Sequence, residues 1–147
     1  MTAIQSFARA DLGGPAAYGR TFDDRAFAGP IALRGGRSAW LAMVADGVGG
    51  GPGGGHAADC ACEAVLATLG SADPDDVPAL LALATHDAHA SVCSAAALEP
   101  ALRDLATTLA LALLVDDALY VVNVGDSRVY LLQCGRLTQI TCDHVWW

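Results

Sequence analysis

The chain has 147 residues, of which 54% are apolar and 16% are charged. It can therefore bury a core, and its composition is not that of a disordered segment. Sixteen acidic residues against eight basic ones give a formal net charge of -8, which repels a polyanion and argues against nucleic acid as a partner. We predict a single domain over residues 1–147.

No segment of the sequence has the pattern of a secretion signal or of a membrane span. Residues 1–9 lack a basic region followed by a continuous apolar stretch. The longest apolar region, residues 109–124, is interrupted by Asp116 and Asp117 and is too short on either side to cross a bilayer. The five cysteines form no C-x-x-C pair, so reduced thiols are expected. The sequence thus predicts a cytoplasmic protein with no membrane partner.

The N-terminal half predicts strands followed by a helix. Residues 1–35 carry glycines and arginines between short apolar pieces, which favours edge strands and turns. Residues 38–45 form an apolar run that ends at Asp46 and Gly47, as a buried strand would. Seven glycines fall within residues 47–55, and a helix follows in which apolar residues recur at helical spacing until Gly70, the expected stop.

The C-terminal half predicts a second helix and then a run of strands. Asp73 and Pro74 begin a turn, and the carboxylates after them are placed to cap a helix over about residues 77–97. From Thr107 the pattern predicts one antiparallel meander, with strands over residues 109–115, 119–124, 128–132 and 136–140 and turns at 116–117, 125–126 and 134–135. This order of elements predicts an α+β fold with helices laid on an antiparallel sheet.

Asp46 is the most informative candidate for chemistry. A carboxylate at the end of a buried strand, followed by a glycine-rich turn, is held rigidly with one side open, which suits a hard cation. An aspartate that simply starts a turn would leave the same Asp-Gly pattern. The adjacent carboxylates of Asp23 and Asp24 would repel each other unless a cation or the flanking arginines compensate, and a solvated acidic turn is the alternative.

Two later polar segments have simple structural explanations. Asp126 lies at a turn between two predicted strands and Arg128 begins the second of them, so a tight turn with a local ion pair accounts for both. Asp143 and His144 follow the last strand, as in a surface turn. On the second helix, His86 and His89 could be metal ligands, but two histidines without further ligands are more often exposed or capping residues.

A nucleotide-binding enzyme is an alternative from another class. Residues 49–54 fit G-x-G-x-x-G between a strand and a helix, although a match in so glycine-rich a run is nearly automatic. The region after the helix is again helical where a parallel strand is needed, and no Lys-Ser or Lys-Thr follows the glycines. We therefore give this alternative little weight.

Four segments together resemble the metal-dependent protein phosphatases of the 2C type, in their bacterial form. They are VADGVGG at residues 44–50, TTL at 107–109, NVGDSRVYLL at 123–132 and GRLTQITCDH at 135–144. The resemblance runs from about Arg20 to the end of the chain. It implies an antiparallel β-sandwich flanked by helices, here incomplete at the C-terminus.

The resemblance also implies roles for individual residues. Asp46 would be the catalytic carboxylate that bridges two manganese or magnesium ions, and the Gly47 carbonyl would bind one of them. The metals would activate a water that attacks phosphoserine or phosphothreonine without a covalent intermediate. Asp23 and Asp24 fall where the family has N-E-D, and either can take the metal-ligand position. Arg20 resembles the arginine that binds the substrate phosphate.

The sequence departs from the family pattern in several places. The glutamate of N-E-D is shortened to aspartate, Arg25 can fall on a carboxylate position, and Val48 stands where some relatives place a histidine. The family's domain continues beyond D-H and supplies further metal-binding aspartates. The resemblance therefore implies a truncated form that is weakly active or inactive, with a non-catalytic phosphatase-like binding or regulatory module as the alternative. The expected partners are a phosphorylated protein substrate and a serine/threonine kinase, and a monomer is expected.

Overall fold

The computed structural model describes residues 23–48, 53–73, 75–98 and 100–145. Within them the elements follow in the order β1 (Asp24–Ala32), β2 (Ser38–Asp46), α1 (Gly54–Ser71), α2 (Val77–Leu98), β3 (Leu109–Val115), β4 (Ala118–Val124), β5 (Tyr130–Gln133) and β6 (Arg136–Gln139). Short 3-10 turns lie at Arg34–Gly36 and Pro100–Leu102. No helix in this described part of the chain is long and apolar enough to cross a membrane. The predicted α+β fold is confirmed.

The main sheet has four antiparallel strands in the order β1-β2-β3-β4. Alternate residues of a strand point to opposite faces, and β3 places its large aliphatic residues on one of them. Leu109, Leu111, Leu113 and Val115 are all buried on that face, which is covered by α1 and α2. Small residues on α1, such as Ala57 and Ala61, are also fully buried and allow the helix to pack closely.

Both helices were predicted with nearly the observed bounds. The helix over residues 77–97 is α2, and Asp76 caps it, because its Oδ1 accepts a hydrogen bond from the Ala79 amide at 3.0 Å. Helix α1 continues through Gly70, the predicted stop, and ends at Ser71. The Ala72 amide then donates to the Thr68 carbonyl at 2.9 Å and closes the last turn.

The predicted single meander is wrong at one junction. Strands β3 and β4 form one hairpin, and β5 and β6 form another whose turn has Cys134 and Gly135 at positive φ, as a two-residue hairpin requires. Strand β4, however, does not pair with β5. The chain turns away at Gly125, which has φ +95°, and the Val129 carbonyl accepts a hydrogen bond from the Ile140 amide at 3.0 Å.

The β5–β6 hairpin forms a separate two-stranded sheet in the described residues. Between the start of this hairpin and the face of the main sheet opposite the helices lies a cavity of about 340 Å³. Its walls include small side chains of β1, β2 and β3 on one side and residues 128–130 on the other. Two antiparallel sheets, with helices on one face of the larger sheet, agree with the expected antiparallel β-sheet fold flanked by helices.

Candidate metal centre

The strand order brings the ends of four strands to one edge of the main sheet. Strand β1 begins at Asp24, β2 ends at Asp46, β3 begins just after Thr108, and β4 ends two residues before Asp126. Because neighbouring strands are antiparallel, these ends lie side by side. Asp24 and Asp46 stand directly opposite each other in the β1–β2 register.

The carboxyl groups of Asp24 and Asp46 are close neighbours at this edge. Partial burial raises the pKa of the Asp46 carboxyl, although the residue as a whole is exposed. The adjacent Asp24 carboxylate, to which a protonated Asp46 can donate, and the negative charges of Asp24, Asp126 and Asp23 raise that pKa further. The edge of the sheet therefore concentrates negative charge around Asp46.

Asp23 lies beside this pair but has a different set of contacts. Its Oδ1 accepts a hydrogen bond from the Gly55 amide at 3.1 Å, in the first turn of α1. Its backbone carbonyl accepts from the Gly47 amide at 3.3 Å. Of the two aspartates in the acidic pair, Asp24 is thus the one whose carboxyl meets Asp46, while Asp23 connects β1 to the start of α1 and to the turn after β2.

The turn after Asp46 is closed so tightly that it requires glycine. A Cβ at Gly47 would clash with the Gly54 carbonyl and lie 2.8 Å from the Asp23 carbonyl oxygen. A Cβ at Gly54 would lie 2.8 Å from the Val48 carbonyl oxygen. The glycine-rich sequence therefore brings the first turn of α1 against the backbone of Gly47 and Val48. Residues 49–52 of this loop lie outside the described residues.

Asp126 belongs to this cluster, and the sequence analysis missed it. The predicted local ion pair with Arg128 is wrong, because the Arg128 guanidinium binds Asp143, with Nε donating to Oδ1 at 2.9 Å. Asp126 instead adds its negative charge to the surroundings of Asp46. The signal that could have found it is the strand count: in an antiparallel sheet the end of β4 returns to the edge where β2 ends.

Other candidate residues are accounted for as follows. Arg20 lies outside the described residues. The Arg25 side chain turns to α1, where its Nη2 donates to Asp59 Oδ2 at 2.7 Å. His86 and His89 are exposed on α2, and His89 contacts Cys93, with Nε2 and Sγ 3.5 Å apart. Neither histidine lies in a metal-ligating group of three side chains within the residues that the structure describes.

The residues at the sheet edge fit a hard divalent cation in their chemistry. Asp24, Asp46 and the Gly47 carbonyl offer only oxygen ligands, which magnesium and manganese prefer. No three carboxylate, histidine or cysteine side chains of the described residues already surround one point. Instead, the carboxyl groups of Asp24 and Asp46 lie next to each other. A cation between the two carboxylates would offset their repulsion.

The α+β fold of this chain is shared with a known class of phosphatases. Residues 19–145 match the family model described as Protein phosphatase 2C, and the chain belongs to this family. It is 39% identical over 108 residues to the serine/threonine protein phosphatase PstP of Mycobacterium tuberculosis, covering 70% of this chain and 20% of that protein. It is 32% identical over 112 residues to the serine/threonine phosphatase stp of Listeria welshimeri, covering 71% and 43%.

Solved structures agree with this assignment. The catalytic domain of Mycobacterium tuberculosis PstP in complex with two manganese ions is 33% identical, with a TM-score of 0.76 over 93% of this chain and 54% of that chain. Stp1 from Staphylococcus aureus, at 21% identity, has a TM-score of 0.79 over 97% and 55%, which supports the fold. The chain thus spans about half of these crystallised chains and less than half of the curated relatives.

Proposed function

We propose that this chain carries part of the active site of a metal-dependent protein serine/threonine phosphatase. The observation that carries the proposal is the meeting of the Asp24 and Asp46 carboxyls at the edge of the main sheet, directly before the tight turn at Gly47. Family membership gives the class of reaction, and the PstP structure with two manganese ions supports the choice of metal.

The proposed site assigns a task to each residue at the edge. Asp46 and Asp24 hold the cation through their carboxylates, and the Gly47 carbonyl is the adjacent backbone ligand. Asp23 keeps this backbone in place through the Gly47 and Gly55 amides. When bound, manganese or magnesium supplies an acidified water for attack on the phosphorus of phosphoserine or phosphothreonine. Arg20 is proposed to bind the substrate phosphate.

The charge at this edge also predicts how well the chain binds metal. Two divalent ions bring four positive charges, whereas the two proposed carboxylate ligands, Asp24 and Asp46, supply two negative charges; Asp126 and Asp23 add their charges to the surroundings without being placed as ligands. A first ion is well matched to these groups, and a second is under-compensated. We therefore expect this chain alone to hold the second ion weakly and to hydrolyse phosphomonoesters slowly. A phosphoprotein substrate, a kinase counterpart, a monomeric state and a cytoplasmic location stay predictions from sequence.

Calorimetric titration with Mn²⁺ tests the site. We compare the wild-type chain with Asp46→Asn, Asp24→Asn and the matched control Asp117→Asn, which removes the same charge at the exposed β3–β4 turn at the other end of the sheet. Each of the first two variants should weaken Mn²⁺ binding by about tenfold or more, because the ligand charge count sets the affinity of such sites. Asp117→Asn should bind as the wild type does.

A phosphothreonine peptide then tests the reaction. Mn²⁺-dependent release of phosphate that is lost in Asp46→Asn and kept in Asp117→Asn supports the phosphatase. Mn²⁺ and peptide binding without any hydrolysis would favour the non-catalytic module instead. Equal Mn²⁺ affinity of the wild type and Asp46→Asn would show that the cation does not bind at this edge.

A further inference from the structure

Thr108 holds both backbone polar groups of Asp46. Its amide donates to the Asp46 carbonyl at 2.9 Å, and its Oγ1 accepts from the Asp46 amide at 3.0 Å. In an ordinary antiparallel pair, the backbone carbonyl of Thr108 would accept this second hydrogen bond. Here that carbonyl accepts from the Thr107 hydroxyl at 3.0 Å, and the Thr108 hydroxyl takes its place. The position of Asp46 thus depends on a side-chain oxygen.

The same hydroxyl also reaches the turn that carries Asp126. Thr108 Oγ1 and Ser127 Oγ are 2.6 Å apart, and both residues are half-buried. A hydroxyl has one proton and two lone pairs, so Thr108 can accept from the Asp46 amide and still share a hydrogen bond with Ser127. One oxygen atom therefore connects the end of β2 to the turn after β4.

The methyl group of Thr108 packs against this turn as well. A Cβ added at Gly125 would lie 2.8 Å from Thr108 Cγ2, so only glycine permits so close an approach. Gly125 and Ser127, the two residues that flank Asp126, both lie against Thr108. The turn is further held by the His144 amide, which donates to the Gly125 carbonyl at 2.9 Å.

We propose that Thr108 is a positioning residue, whose hydroxyl fixes the distance between the carboxylates of Asp46 and Asp126 and thereby the geometry of the cation site. The inference rests on the proposed function, in which Asp46 holds the cation. Thr108 itself is not a ligand. It acts as the hydrogen-bonding partners of metal ligands do, by keeping the ligand residue in one orientation before the metal binds.

The test compares three variants with the wild type. Thr108→Val keeps the shape of the side chain and removes the hydroxyl, whereas Thr108→Ser keeps the hydroxyl and removes the methyl. Thr141→Val is the matched control, because the Thr141 hydroxyl likewise accepts a backbone amide, that of Val129 at 3.1 Å, but next to the β5–β6 hairpin rather than at Asp46. The measurements are Mn²⁺ affinity by calorimetry and, in metal-free protein, amide hydrogen exchange at Asp46 and at residues 123–128.

Thr108→Val should weaken Mn²⁺ binding on the order of tenfold, as loss of a group behind a metal ligand typically does. Thr108→Ser should restore most of the affinity, and Thr141→Val should lower stability without changing affinity. In metal-free Thr108→Val, exchange at Asp46 and residues 123–128 should become faster together. The proposal is overturned if Thr108→Val binds Mn²⁺ as the wild type does, if Thr108→Ser is as weak as Thr108→Val, or if Thr141→Val loses as much affinity.

The two proposals fail in different ways. If wild type and Asp46→Asn bind Mn²⁺ equally, the cation site is wrong, and the exchange measurement in metal-free protein still decides whether Thr108 connects Asp46 to the Asp126 turn. Unchanged exchange at residues 123–128 in Thr108→Val would overturn the connection. If Asp46→Asn loses binding but Thr108→Val does not, the metal site stands and the positioning role is wrong.

Discussion

The two faces of the four-stranded sheet have very different surroundings. On the face under α1 and α2, Leu41, Met43, Leu111 and Leu113 are at most 3% exposed. On the opposite face Val44 is 42% exposed, and every residue of strands β5 and β6 is exposed as well. Burial of large aliphatic side chains drives folding, so the helix-covered face supplies most of the stabilisation.

The candidate metal centre takes a different contribution from each face. Asp24 and Asp46 alternate along their strands with residues that point to the helices, so their carboxyls lie on the open face. The strands that carry them are held from behind by the buried core. Rigid support on one side and access on the other is what a site for a cation and a phosphorylated substrate needs.

The largest difference between the two faces should appear when leucines are truncated. Leu113→Ala, at a fully buried position of β3, should lower the free energy of unfolding by about 2–5 kcal/mol because it leaves a cavity. Leu137→Ala, at a position of β6 that is 63% exposed, should cost about 0.5 kcal/mol or less. Urea denaturation followed by circular dichroism measures both. Similar losses would mean that the hairpin contributes to the core as much as β3 does.

Thiol reactivity should distinguish the faces of the helices in the same way. Cys62 lies on the sheet-facing side of α1, and burial raises its pKa to about 11. At about pH 8 only about one molecule in a thousand carries the Cys62 thiolate, which is the reactive form. Cys93 is exposed on α2. Peptide mapping after iodoacetamide treatment should find Cys93 alkylated long before Cys62, and equal rates would show that α1 opens readily from the sheet.

Removing the ion pair between β1 and α1 should have a smaller effect on stability. Arg25 of β1 binds Asp59 of α1, and their side chains are 32% and 45% exposed. Because solvent screens the pair, Arg25→Met should lower the free energy of unfolding by only about 0.5–1 kcal/mol. Arg103→Met is the matched control, since Arg103 and its partner Asp104 are 81% and 89% exposed and should contribute nothing measurable. Equal effects of the two variants would contradict a role for Arg25 in fastening α1 to β1.

The helix-covered face could be predicted well from the sequence because its signals are local. The alternation of leucines in β3, the helical spacing in α1 and α2 and the cap at Asp76 each depend on residues a few positions apart. The Cys134–Gly135 turn also carries its own sequence signal, the glycine at its second position, and both residues take positive φ in the structure. Prediction succeeded where one element determines its own conformation.

The candidate site was harder because its contacts join distant parts of the chain. Thr108 and Ser127 are 19 residues apart, and Arg128 and Asp143 are 15 apart, so no short pattern reveals either pair. The glycine at 125 reads as a hairpin turn, although the chain there leaves the sheet. Asp46 carries a local signal, because a buried strand and a glycine-rich turn surround it. Asp126 carries no such signal, because Arg128 two residues later offers it a local partner in the sequence.

The smallest effect is expected on the exposed side, where Asp143 is bound to the turn after β4. The hydrogen bonds from Arg128, and to a lesser extent from Gln139 and the nearby charge of His144, lower the pKa of the Asp143 carboxyl. Its pKa is thus lower in the folded than in the unfolded chain. The pairing therefore stabilises the fold fully at pH values above the ordinary pKa range of aspartate, and this stabilisation is lost as the pH falls through the lowered pKa.

Urea denaturation midpoints of the wild type and Arg128→Met, between about pH 7 and about pH 3, measure this stabilisation. The wild type should lose slightly more stability on acidification than the variant. Because the Arg128 side chain is about half exposed, the difference should shrink further in about 1 M salt. If acid destabilises both proteins equally at low salt, the Arg128–Asp143 pair does not stabilise the open face, and the Gly125 turn is held by its other contacts, including those with Thr108 and His144.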